Sequence, residues 1–169
     1  MTATMTIKVF GVKEALKELN DIDPDLRKQI NAKAKDIVKP AVDAIKSKYP
    51  SKYLSGMQRP WTQRNATKFP YDQAAAQKGV GIKIDTSKKA QSVIRIQQRN
   101  PAAAIIDMAG KQGGRSLQGG RFVDSLTAMF GQPSRVMWPG YLTQGNEVEQ
   151  RMFNLVKDLM QSVNKNLAM

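Results

Sequence analysis

The sequence holds no cysteine and no histidine. Without thiols it can form neither a disulfide framework nor a thiolate centre. Without imidazole the usual ligand sets for zinc and iron are gone, as are Ser-His-Asp triads and Cys-His pairs. General acid–base work would fall to Asp, Glu, Lys or Tyr, which moves the expectation away from catalysis. No apolar run approaches the ~20 residues a helix needs to span a bilayer, and mean hydropathy is −0.47. Met1-Thr-Ala-Thr-Met-Thr shows no basic region followed by an apolar stretch, so no signal peptide and cytoplasmic synthesis are expected.

Acidic residues are scarce. The chain has 14 against 27 Lys and Arg, a net charge of +13, and an isoelectric point near 10.1. That balance implies an acidic partner, either nucleic acid or an acidic protein surface. The surplus is not uniform. Residues 1–48 hold 10 basic and 7 acidic side chains, residues 49–122 hold 13 and 3, and residues 123–169 hold 4 and 4. The middle of the chain is therefore the basic part.

What is present fits one domain, since 169 residues is the size of an ordinary single unit. Thr6 to Phe10 alternates like a short strand, and Val12 to Asn20 reads as a short helix. Asp23-Pro24 is a helix start, because Asp caps free N–H groups and Pro suits the first turn. Leu26, Ile30, Ala34, Ile37, Ala41 and Ile45 follow at helical spacing, which predicts an amphipathic helix of about 25 residues. A kink is expected at Pro40.

Residues 50–79 carry three prolines with Tyr53, Trp61, Phe69 and Tyr71 among Lys and Arg. They sustain no period and read as an extended arm, with a short helix near Asp72 to Gln77. Val80 to Asp85 and Ser92 to Gln97 both alternate, which predicts an antiparallel hairpin. Ala102 to Met108 is an apolar run, either a buried strand or a short helix. Residues 110–121 hold five glycines together with Lys111, Arg115 and Arg121 and read as a mobile loop. Phe122 to Phe130 reads as a short helix, and Arg135 to Pro139 as a strand or turn. Asn146 is the expected cap of a last helix with an apolar stripe of Val148, Met152, Leu155, Val156, Leu159, Met160, Val163 and Leu167. Helix, strands and helix in that order predict an α+β domain, with a small antiparallel sheet covered by two amphipathic helices.

Three segments bear on possible chemistry. A phosphate-binding loop fails, because Gly114-Arg115-Ser116 has Arg for Lys and the first required glycine falls on Ala109. The aromatics at 53–71 could stack on single-stranded nucleic acid or anchor an arm in a neighbouring subunit. Asp85, Asp107 and Asp124 show no spacing that pairs them for Mg²⁺ or hydrolysis, and ion pairs with neighbouring Lys and Arg are the simpler expectation.

Taken together, Gly11-Val-Lys-Glu-Ala-Leu-Lys-Glu-Leu-Asn20 and the basic helix from Leu26 to Tyr49-Pro50 resemble the opening of phage neck or tail-completion proteins. That family includes the minor tail protein Z type of phage lambda. Val93 to Ile96 followed by Ala102 to Gly110 is similar to the family's strand and apolar segment, with Asp107 at its acidic position. Val136-Met-Trp-Pro139 and residues 146–167 resemble its proline turn and last helix. Tyr53-Leu-Ser-Gly56 stands where the family has a longer motif, and the Gly-Arg loop replaces a compact turn.

The resemblance implies a non-enzymatic virion subunit without cofactor or metal. It implies a homo-oligomeric ring of six copies at the head–tail junction. Head-closure or adaptor and tail-tube proteins would be its neighbours, with DNA passing through the lumen. The tail terminator is a close alternative, and a small basic nucleic-acid-binding protein is a more distant one. The residues singled out for subunit or partner contact are Trp61, Phe69, Tyr71, Lys111, Arg115, Arg121 and Trp138.

Overall fold

The computed structural model describes residues 3–7, 24–52, 61–63, 66–68, 71–84, 94–110 and 117–167. The expected helix at 12–20 lies outside them. The fold is α+β.

A three-stranded antiparallel sheet has β5 (Ile94–Gln98) at its centre, flanked by β1 (Ala3–Ile7) and β4 (Val80–Ile84). The register sets Met5 and Ile82 either side of Ile96, and Ile7 and Ile84 either side of Ile94. The expected hairpin is thus present. Its inward row, Ile94, Ile96 and Gln98, is buried, while Lys83 between Ile82 and Ile84 is exposed, as period-two alternation requires. The first strand falls three residues earlier than expected, on Ala3–Ile7, where its five residues match the length of β5.

The long helix α1 (Pro24–Ser47) runs through Pro40 as one element. Ile30, Ala34, Val38, Ala41, Val42 and Ile45 are buried at spacings of three and four. Lys33, Lys35, Lys39 and Pro40 point to solvent. This helix packs on β4 and, elsewhere along its length, on α5 (Met137–Leu142) and α6 (Gly145–Leu167). On α6, Val148, Met152, Val156 and Leu159 are buried. Met160, expected on that stripe, is exposed, because it follows Leu159 by one residue and so turns about 100° away from it.

Some local expectations hold and others need correction. The 50–79 segment holds more than an extended arm and one short helix, since β2 (Trp61–Gln63) pairs with β3 (Ala66–Lys68). Strands of three residues are too short for alternation to be seen in sequence. The expected short helix is α2 (Gln73–Gly79), capped by Asp72, whose Oδ1 accepts the N–H of Ala75 at 2.6 Å. Of the two forms expected for Ala102 to Met108, the structure has the helix, in α3 (Pro101–Met108). Asn100 caps it through the N–H of Ala103, and Pro101 opens its first turn.

The Gly-Arg loop ends earlier than expected. Residues 117–121 already belong to α4 (Leu117–Phe130), while 111–116 lie outside the described residues. Buried Val123 and Leu126 hold this helix, and their packing outweighs the ~1 kcal/mol that each internal glycine costs. Arg135 to Pro139 is neither strand nor simple turn. Arg135 and Val136 lead into α5, and Pro139 lies near its start, where the missing N–H has no helical partner to lose. Asn146 does not cap α6. The helix begins one residue earlier, and Gln144 O accepts the Val148 N–H at 3.0 Å.

Candidate functional site

Any chemistry would have to begin with the buried polar groups. Asp107, at the end of α3, is 1% exposed. Its Oδ1 accepts the N–H groups of Val136 at 2.7 Å and Met137 at 3.2 Å. Its backbone oxygen accepts those of Ser134 at 2.7 Å and Arg135 at 3.3 Å. The carboxylate thus caps α5 from another element, and Val136 itself supplies no side-chain cap.

Arg135 closes the same knot. Its Nη1 donates to the carbonyls of Ile106 at 2.9 Å and Ala109 at 3.0 Å, its Nε to Gly131 O at 2.6 Å, and its Nη2 to Thr127 Oγ1 at 3.2 Å. Burial lowers its pKa from the ordinary value, and the charge of Asp107 pulls the other way. Three of its acceptors are backbone carbonyls at the C-terminal ends of α3 and α4, where such oxygens lack helical partners. The knot therefore holds α3, α4 and α5 together and leaves neither charged group facing a cleft.

A second polar cluster joins α1, α2 and the sheet. The Tyr71 hydroxyl donates to Pro50 O at 2.7 Å, and Gln73 Nε2 donates to Tyr49 O at 2.8 Å. Gln98 is fully buried, with Nε2 on Ala76 O at 2.9 Å and Oε1 accepting the Asn100 N–H at 2.7 Å. The Tyr49 hydroxyl is buried beside the Gln98 side chain. Burial pushes both phenols up, that of Tyr71 to about 12. The side-chain bonds of Tyr71, Gln73 and Gln98 are thus spent on backbone.

The candidate contact residues are spread across the chain. Tyr71 is buried within the subunit and offers no surface to a partner, which corrects its expected role. Trp61 lies in β2 and Arg121 is exposed on α4. Phe69, Lys111 and Arg115 lie outside the described residues. Trp138 is exposed on α5, its ring 5.9 Å from that of Tyr141. Tyr141 in turn donates to Glu149 Oε1 at 2.9 Å, joining α5 to α6. Burial, and then the Glu149 bond, raises the Tyr141 phenol.

The sequence reading missed three further exposed apolar side chains on these helices, Leu142, Phe153 and Met160. The signal was available for Phe153, which follows the core position Met152 and so falls off the buried stripe. Together with Trp138 they make the C-terminal helix pair the candidate functional surface.

A groove of about 500 Å³ lies elsewhere, lined by Gly110, Val123, Asp124, Thr127, Ala128, Gln132 and Pro133. Asp124 is its one ionisable lining group. Among the described residues no cluster of acidic side chains could hold a metal ion, and no helix is long and apolar enough to cross a membrane. No family model, curated protein or solved structure matches the chain.

Proposed function

We propose that this chain is a structural, non-enzymatic virion subunit of the head–tail connector of a tailed phage, a neck or tail-completion ring protein. The observation that carries the reading is the combination of a spent interior and an apolar exterior. Asp107 and Gln98 use their polar groups on backbone partners, and Arg135 uses its own on backbone carbonyls and Thr127 Oγ1. Trp138, Leu142, Phe153 and Met160 stand in solvent. A surface of that kind serves docking. The layout supports the same reading, with a long basic helix, a small sheet and a C-terminal amphipathic helix in the order of the family it resembles.

In this role the chain works by assembly. Its neighbours would be further copies in a ring, head-closure proteins and tail-tube proteins, with DNA in the lumen. The ring would be part of a virion assembled in the host cytoplasm. The decisive experiment is to make particles without the chain. Filled heads and tails of normal length that fail to join are expected. Overlong tails would point to the tail terminator instead, and normal particles would overturn both readings.

A nucleic-acid role is the second reading, favoured by the net charge of +13 and by exposed Lys33, Lys35 and Lys39 on α1. It requires tight binding of the purified chain to DNA, falling steeply with salt.

A further inference from the structure

The solvent side of α1 carries a row of like charges. Lys28, Lys35 and Lys39 are exposed, and Lys46 is half-exposed. Their spacings are 7, 4 and 7 residues. At about 100° and 1.5 Å per residue, the four lie within about 40° of one line and span about 27 Å of helix. Lys33 is exposed further round the same helix. The acids of this surface, Asp36 and Asp43, stand about 60–80° to one side of the row, and Asp43 is 4.0 Å from Lys46. Residues 28–47 therefore hold five lysines against two acids. Lys35 and Lys39 stand one turn apart at the centre of the row. Like charges at that spacing repel and weaken a helix, so the fold gains from an anion laid along them.

Three kinds of anionic surface answer such a row, and the rest of α1 chooses among them. An anionic bilayer binds an amphipathic helix by taking in its apolar face, and here Ile30, Val38, Val42 and Ile45 are buried in the core. An acidic protein needs a dry centre of contact, from which Lys is depleted, and none of the large exposed apolar side chains among the described residues stands on α1. A nucleic-acid duplex needs neither. It carries one phosphate charge per ~1.7 Å of its axis, about 16 along the length of the row. Lysine meets phosphate as a point charge on a flexible stem, without the planar fork by which arginine reads guanine.

We propose that the lysine row of α1, centred on Lys35 and Lys39, lies along the phosphate backbone of double-stranded DNA and holds it without reading its sequence. The proposal rests on the nucleic-acid reading above and names the face and the kind of contact. Phosphate contacts fix position and carry no sequence information. Held by them alone, a duplex slides past the protein that grips it.

Fluorescence anisotropy of the full chain on two short duplexes of unrelated sequence, across a salt series, tests this. Lys35→Gln with Lys39→Gln is compared with Arg99→Gln with Arg121→Gln, which removes the same charge from exposed positions elsewhere. Both double variants should keep the circular dichroism spectrum. The lysine pair should weaken binding about tenfold or more at low salt and reduce the slope of log K against log salt by about 1.8, at 0.9 per phosphate contact, on both duplexes alike. The arginine pair should leave the slope near that of the unaltered chain. No salt-dependent binding by the unaltered chain would overturn the nucleic-acid reading and the row with it. Salt-dependent binding whose slope the lysine pair leaves unchanged, an equal loss in the arginine pair, or a strong preference for one duplex would overturn the row and leave that reading standing. Poly-glutamate that displaces the duplex at equal charge concentration would assign the row to an acidic protein and overturn the proposal.

Discussion

The Asp107 carboxylate accepts the N–H of Val136 at 2.7 Å, so a residue at the end of one helix starts another that lies 29 positions later. Replacing Asp107 by Ala leaves the N–H groups of Val136 and Met137 buried without an acceptor. A loss of roughly 1–3 kcal/mol is expected, read as a lower urea midpoint. Asp107→Asn keeps a carbonyl oxygen and should lose less. A change below about 0.5 kcal/mol for the alanine variant, the size of an ordinary surface substitution, would mean that α5 does not depend on this cap.

Gly140 allows α5 to lie against α1. A Cβ there would stand 2.7 Å from Ile45 Cα, and two backbones cannot separate without opening the core. Gly140→Ala should cost roughly 1–3 kcal/mol, as overpacking does. Gly81, whose Cβ would meet nothing within 4 Å, is the control and should tolerate alanine. Equal stability of the two variants would contradict this packing.

Ser134 has a φ of +71°, a conformation that costs side-chain-bearing residues about 1–2 kcal/mol. Its N–H is held on Asp107 O at 2.7 Å, which fixes the turn before α5. Ser134→Gly should therefore raise the thermal midpoint and Ser134→Val should lower it. The opposite order would show that the turn relaxes freely.

Tyr49, Tyr71 and Tyr141 all have phenols raised by burial. A raised phenol favours the folded state while it stays protonated. That contribution is complete below the unfolded value of 10.0, and for Tyr71 it is lost as pH rises from there through about 12. Alkaline unfolding should accompany the appearance of phenolate absorbance. Titration of all tyrosines near pH 10 in a still-folded protein would contradict the burial described for them.

What the sequence made legible was what repeats locally. The stripes on α1 and α6 follow a period of 3.6, and the alternation of β4 and β5 follows a period of 2, so each could be read from its own residues. The start of α5 could not. Met137-Trp-Pro-Gly140 looks like a turn, and its cap lies on Asp107, far along the chain. Tyr71 looked like a surface aromatic because its neighbours are charged, yet the partner of its hydroxyl is Pro50 O, which no local pattern reveals. Trp138 was singled out on residue type and is exposed, whereas Phe153 was overlooked because it adjoins a core position.

On α6 the two faces should behave differently. Leu159 is buried and Phe153 exposed, so Leu159→Ala should cost roughly 2–5 kcal/mol and Phe153→Ala less than about 0.5 kcal/mol. Comparable losses would mean that Phe153 belongs to the core and offers no docking surface.

A connector subunit sits where head meets tail, and labelling locates it. Virions assembled with a chain tagged at its C-terminus would be decorated with gold-labelled antibody and imaged by electron microscopy. Gold confined to the junction of head and tail is expected. Gold elsewhere on the particle, or a chain present in infected cells but missing from purified virions, would contradict it.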